Sequence, residues 1–62
     1  MNIVRFTSLD RKPVSVNLDA VAFFEASDGH TRIVFSTGVD LTVSETYDDV
    51  TNLINPPREM GF

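Results

Sequence analysis

The chain has 62 residues, no cysteine and a formal net charge of −4, from nine acidic and five basic residues. Its length predicts a single small β-rich domain, residues 1–62, near the lower limit for folding without a staple, and the missing cysteines exclude internal disulfides and thiolate metal sites. The acidic balance disfavours nucleic-acid binding, which depends on attraction to phosphate. Short apolar runs and an N-terminus without signal-peptide architecture predict a cytoplasmic protein with no membrane insertion.

Two short segments with alternating apolar residues open the chain and predict a β-hairpin. In residues 2–8, apolar and polar side chains take turns, as expected for a half-buried strand. Pro13 begins the second strand, residues 13–17, at a position where it need not donate a ladder hydrogen bond. The Asx side chains of residues 17–20 can bond to nearby amides, so we expect a compact turn there.

Three further strands are predicted between residue 21 and residue 43. Residues 21–27 are apolar on both faces, which is typical of a central strand that is covered on each side. Asp28–Gly29 is a strong tight-turn signal and predicts antiparallel pairing with residues 31–36. A turn at Gly38 leads to the fifth strand, residues 39–43. Together the five segments predict an antiparallel meander.

The apolar spacing changes to three and four residues after Ser44 and predicts one α-helix over residues 45–54. Either Ser44 or Thr46 is the expected N-cap, and Pro56–Pro57 ends the helix. The tail, residues 55–62, has no periodic pattern. The predicted fold is therefore mainly β (α+β): a five-stranded antiparallel meander, strongly bent or barrel-like, with one C-terminal α-helix.

The polar residues do not form a pattern that known catalysis requires. His30 is the only histidine and lies beside a predicted turn, where we expect it to be an exposed loop residue. Zinc needs three or four ligands, so we predict no metal site. Asp48–Asp49, with Glu45 nearby, are explained by the favourable position of carboxylates at a helix start. No phosphate-cradling glycine loop is present, and we predict no cofactor and no enzyme activity.

Some apolar residues lie on the second face of the strands, away from the predicted core. They predict a contact surface, because an uncovered apolar patch usually marks an interface. On the third strand this residue is either Phe23 or Phe24, depending on which face is buried. The tail residues are expected to dock on the body of the protein or on a neighbouring subunit. The candidate interface comprises Ile3, Phe24, Val34, Met60 and Phe62.

Three spaced motifs between residues 3 and 54 resemble those of small flagellar and swarming-motility proteins called FlbD-like. They are Asn17-x-Asp19-x-Val21-x-x-Phe24-Glu25, Thr31-x-Ile33-x-Phe35-x-x-Gly38 and Val43-x-Glu45-Thr46-x-x-Asp49-Val50. The resemblance implies a non-enzymatic cytoplasmic protein that assists or regulates flagellar function. It carries over no catalytic residue.

The favoured hypothesis is a non-enzymatic protein-interaction module that acts in flagellar motility. We expect it to be homo-oligomeric and to bind a protein partner whose identity is unknown. One alternative is a small nucleic-acid-binding regulator, since compact β-meanders can dock on DNA or RNA, although the charge opposes it. A second alternative is an uncharacterised bacterial or phage-borne small oligomeric protein, because similar short chains occur in those settings.

Overall fold

A computed structural model describes residues 2–55 and confirms a mainly β fold with one helix on the C-terminal side. The five strands lie in two antiparallel sheets. The elements are β1 (Ile3–Thr7), β2 (Pro13–Asn17), a 3-10 helix (Leu18–Ala20), β3 (Val21–Ser27), β4 (His30–Phe35), β5 (Asp40–Val43) and α1 (Tyr47–Ile54).

The five antiparallel strands of the predicted strongly bent or barrel-like meander are present, but they form two sheets and the barrel-like alternative is wrong. β1 pairs with β2, and β3, β4 and β5 form a separate sheet in that order, so no closed barrel is formed by the described strands. The break lies at the 3-10 helix, whose N-cap Asn17 accepts a hydrogen bond from the Asp19 amide at 3.0 Å. This local bond turns the chain from β2 into β3 without setting the two strands side by side.

The two sheets are joined where the end of β1 meets the end of β5. Ser8 forms an isolated antiparallel bridge with Val43, and the Ser44 amide donates to the Thr7 carbonyl at 2.7 Å. The Glu45 carboxylate then accepts a hydrogen bond from the Thr7 amide at 3.0 Å. Residues 44–45 therefore connect both sheets to α1.

The prediction that the third strand is central is also wrong, because β4 is the middle strand of its sheet and β3 lies at the edge. Its register against β4 slips between Val21 and Phe23, which leaves Ala22 as a β-bulge. A bulge inserts an unpaired residue and so reverses the face of every side chain beyond it. Apolar residues lie on both faces of β3 because Phe23 is half-exposed on one face while Phe24 packs against the core on the other, and the bulge returns Val21 to the face of Phe24.

The boundaries of β2 and β3 match the prediction, and those of the other elements differ from it by at most two residues. β5 begins at Asp40 and not at Val39. Val39 directly follows the turn at Gly38, whose φ is 93°, and is 62% exposed. α1 begins at Tyr47 with Thr46 as N-cap, whose side chain accepts from the Asp49 amide. Residues 56–62, which include most of the predicted tail, lie outside the described residues.

The core is small and draws one buried side chain from almost every element. Its members are Phe6, Val16, Ile33, Val43 and Val50. Thr31 is the buried polar residue among them, and its hydroxyl donates to the Glu45 carbonyl at 2.9 Å. Because that donor is satisfied, burying the hydroxyl avoids most of the usual desolvation cost.

Candidate functional site

A two-residue turn fixes the register of β3 against β4. Asp28 and Gly29 have φ angles of 49° and 81°, in the left-handed region that glycine adopts freely and aspartate tolerates. They connect Ser27 directly to its partner His30, as in a type I′ hairpin. Each β3 residue from position 23 to position 27 consequently has one defined neighbour on β4.

This register sends the two adjacent phenylalanines of β3 to opposite faces. Phe23 lies across from Val34 on the outer face of the three-stranded sheet and is 50% exposed. Phe24 lies across from Ile33 on the inner face, where it packs half-buried against the core. Its ring centroid is 5.4 Å from that of Tyr47 on α1. The exposed aromatic ring of this strand is therefore Phe23.

The outer face combines an apolar pair with a charged cluster. The apolar pair, Phe23 and Val34, is called the outer patch below. In the next row Arg32 lies opposite Glu25, and its Nε donates to Asp40 Oδ2 at 2.8 Å. Its Nη1 is 3.3 Å from Glu25 Oε2. The pKa of Arg32 is raised chiefly by the hydrogen bond to Asp40. Exposed ion pairs add little stability, so the main effect of the cluster is that Arg32, Glu25 and Asp40 partly neutralise one another beside the outer patch.

The structure separates the residues of the predicted interface. Ile3 is 50% exposed on the two-stranded sheet, Val34 is half-buried on the outer face of the other sheet, and Phe24 is on the inner face. Met60 and Phe62 lie outside the described residues. The structure thus pairs Val34 with Phe23, and the role of these residues in an interface stays a prediction.

An apolar groove borders the outer patch at the start of β3. It has a volume of about 230 Å³ and lies between the 3-10 helix, the bulged end of β3 and the last residue of α1. Its lining residues are Leu18, Val21, Ala22, Phe23, Phe24 and Ile54. Sequence analysis missed this groove, because only the bulge brings Val21 and Phe24 to one face while Phe23 stays at the rim.

A second, more polar groove lies beside His30, at the junction of the two sheets. It is open to solvent, with a volume of about 730 Å³, and includes Arg11 and Glu45. His30 is exposed, as expected, but opens β4 rather than lying in a loop, and its Nδ1 is 3.4 Å from the Ser44 carbonyl oxygen. A backbone carbonyl can orient the ring but cannot take up its proton. The polar groups of this groove mainly hold the junction together.

Residues 2–55 contain no cluster of three or more histidine, cysteine or acidic side chains that could hold a metal ion. The predictions of no metal, no cofactor and no enzyme activity stay predictions. Over the same residues, α1 is the one α-helix and is too short and too polar to cross a membrane.

Comparison with known proteins gives no relative from which a function could be transferred. No family model matches the chain, and neither the curated proteins nor the solved structures contain a match. The resemblance to FlbD-like proteins therefore stays a prediction based on the spacing of the three motifs.

Proposed function

We propose that the chain is a non-enzymatic protein-interaction module that binds through the outer patch and the adjoining β3 strand. The observation that carries the proposal is the half-exposed Phe23 ring beside Val34, continuous with the apolar groove at the start of β3. Single exposed apolar residues are common, whereas an aromatic ring that adjoins other accessible apolar surface favours contact with another protein. Covering the exposed half of this ring would contribute about 1 kcal/mol to binding.

The proposed setting follows from the FlbD-like resemblance. We place the module in the bacterial cytoplasm, as an accessory or regulatory protein of flagellar motility that also associates with itself. The three motifs support this setting, and the turn and cap residues among them have structural explanations. Asn17 caps the 3-10 helix, Gly38 has a φ of 93° and Thr46 caps α1.

The substitution Phe23→Asp tests the binding surface. Because Phe23 projects from the outer face, the variant should keep the fold, with an unchanged circular dichroism spectrum, and lose the partner recovered by affinity purification with the wild type. Leu9→Asp is the matched control, since Leu9 is also an exposed apolar residue, 54% exposed, but lies between β1 and β2 of the other sheet. Equal recovery of the partner by Phe23→Asp and wild type would contradict the proposed surface.

The motility setting needs its own experiment. Deleting the gene in the source bacterium should reduce swarming, and wild-type protein should restore it while the Phe23→Asp variant does not. Normal swarming after deletion would remove the flagellar setting and leave the binding surface untouched.

A further inference from the structure

The edge position of β3 is at odds with the sequence of the strand. Edge strands usually carry protective features such as proline, lysine or very short length, because their free backbone groups invite pairing with another chain. β3 has seven residues, no proline, and Glu25 as its single charged residue. By contrast, β2 has five residues and begins with Pro13. β3 therefore has the composition of a strand that is paired on both sides.

The free edge of β3 faces solvent. Ala26 shares a row with Thr31 and Val43, both of which are 0% exposed, yet Ala26 itself is exposed. No other strand in residues 2–55 pairs with this side of β3. The neighbouring space is consequently open to an additional strand.

The hairpin geometry identifies the backbone groups that point toward this space. In a two-residue hairpin the residues that flank the turn, Ser27 and His30, form a hydrogen-bonded pair, and the pattern alternates along the strand from there. Phe24 and Ala26 are then in non-hydrogen-bonded positions relative to β4. Their N–H and C=O groups point to the free edge, where an additional strand can bond to them.

We propose that β3 pairs antiparallel with β3 of a second copy of this chain, about a two-fold axis at Phe24, to give one six-stranded sheet. This inference rests on the self-association included in the proposed function, and it specifies the contact. The ladder would bring the two outer patches onto one face.

Charge and overlap select the register at Phe24. Pairing about Glu25 would set two carboxylates directly opposite each other, which is destabilising. Pairing about Ala26 would run into the Asp28–Gly29 turn and leave a short ladder. Pairing about Phe24 uses the whole strand and puts Phe23 opposite Glu25 of the second copy, with no like charges opposed. The bulge at Ala22 limits the regular part of this ladder to its centre.

Disulfide trapping tests this register directly, because the natural chain has no cysteine. Phe23→Cys and Glu25→Cys are prepared as separate single variants, both at exposed positions. In the proposed ladder these residues form a non-hydrogen-bonded pair with Cα atoms about 4.5 Å apart, within the range that a disulfide spans. Two copies of either residue are diagonal neighbours about 7–8 Å apart. The mixture should therefore cross-link several-fold faster than either variant alone, and Ser15→Cys on β2 is the matched control.

Solution mass of the wild-type protein completes the test. Light scattering should give about 13.8 kDa, twice the 6.9 kDa of the chain. A monomer at about 1 mM protein would overturn the inference. If such a monomer still binds a partner through Phe23, the proposed function survives. A dimer in which neither the single variants nor their mixture cross-link faster than Ser15→Cys would overturn the β3 contact. A mixture that cross-links no faster than one of its single variants would overturn the register at Phe24, and fastest cross-linking by Glu25→Cys alone would indicate pairing about Glu25.

Discussion

At the scale of single residues, Val50 and Val39 offer a comparison of identical substitutions in opposite surroundings. Val50 on α1 is 0% exposed within the core, and Val39 is 62% exposed before β5. Val50→Ala should lower the free energy of unfolding by about 2 kcal/mol, because it removes buried methyl groups and leaves a cavity. Val39→Ala should change it by less than about 0.5 kcal/mol. Urea denaturation of both variants measures the difference, and equal losses would contradict the assigned core.

Phe23 and Phe24 show where residue-level prediction stopped. Their order in the chain says that they face opposite sides of a strand, but not which side is inside. That answer comes from the register that the Asp28–Gly29 turn sets, which places Phe24 opposite the buried Ile33 and Phe23 opposite Val34. A test by Phe24→Asp would therefore disturb core packing, whereas Phe23→Asp addresses the surface alone.

At the scale of elements, local signals predicted the strands, the helix and the hairpins well. The alternation of apolar and polar residues predicted β1 and β2, and the Asp28–Gly29 turn predicted the β3–β4 hairpin. The spacing of apolar residues by three and four predicted α1. The sequence did not predict that β2 and β3 would part, because their separation depends on how the 3-10 helix redirects the chain. Contacts between elements distant in sequence have no comparable local pattern.

The β3–β4 turn allows a test at this scale. Gly29→Ala should lower the free energy of unfolding by about 1 kcal/mol, because alanine is strained at a φ of 81° although no atom lies within 4 Å of its Cβ. For a chain of this length, the loss corresponds to a fall in Tm of about 4–8 °C. Asp28→Asn is the control and should preserve Tm, since asparagine tolerates positive φ. An unchanged Tm for Gly29→Ala would show that another turn conformation is accessible.

At the scale of the whole molecule, the five buried apolar residues found within residues 2–55 leave a thin margin of stability. Association through β3 would add to this margin, and its contribution would depend on concentration. We expect Tm to rise by about 5 °C for each tenfold increase in protein concentration, as a two-state dimer of this chain length requires. Differential scanning fluorimetry across a dilution series measures it, and a constant Tm would indicate that unfolding involves a monomer.

The junction made by Ser44 and Glu45 has a consequence for the order of folding. The β1–β2 hairpin and the three-stranded unit β3–β5 are local and leave the ribosome before this dipeptide, which joins them at sequence separations of 36 to 38 residues. Closing so long a loop costs chain entropy that neither unit alone can offset. The rate-limiting step in folding should then be the bonding of Ser44 and Glu45 to the end of β1. Nascent chains that stall before these two residues would be open to proteases.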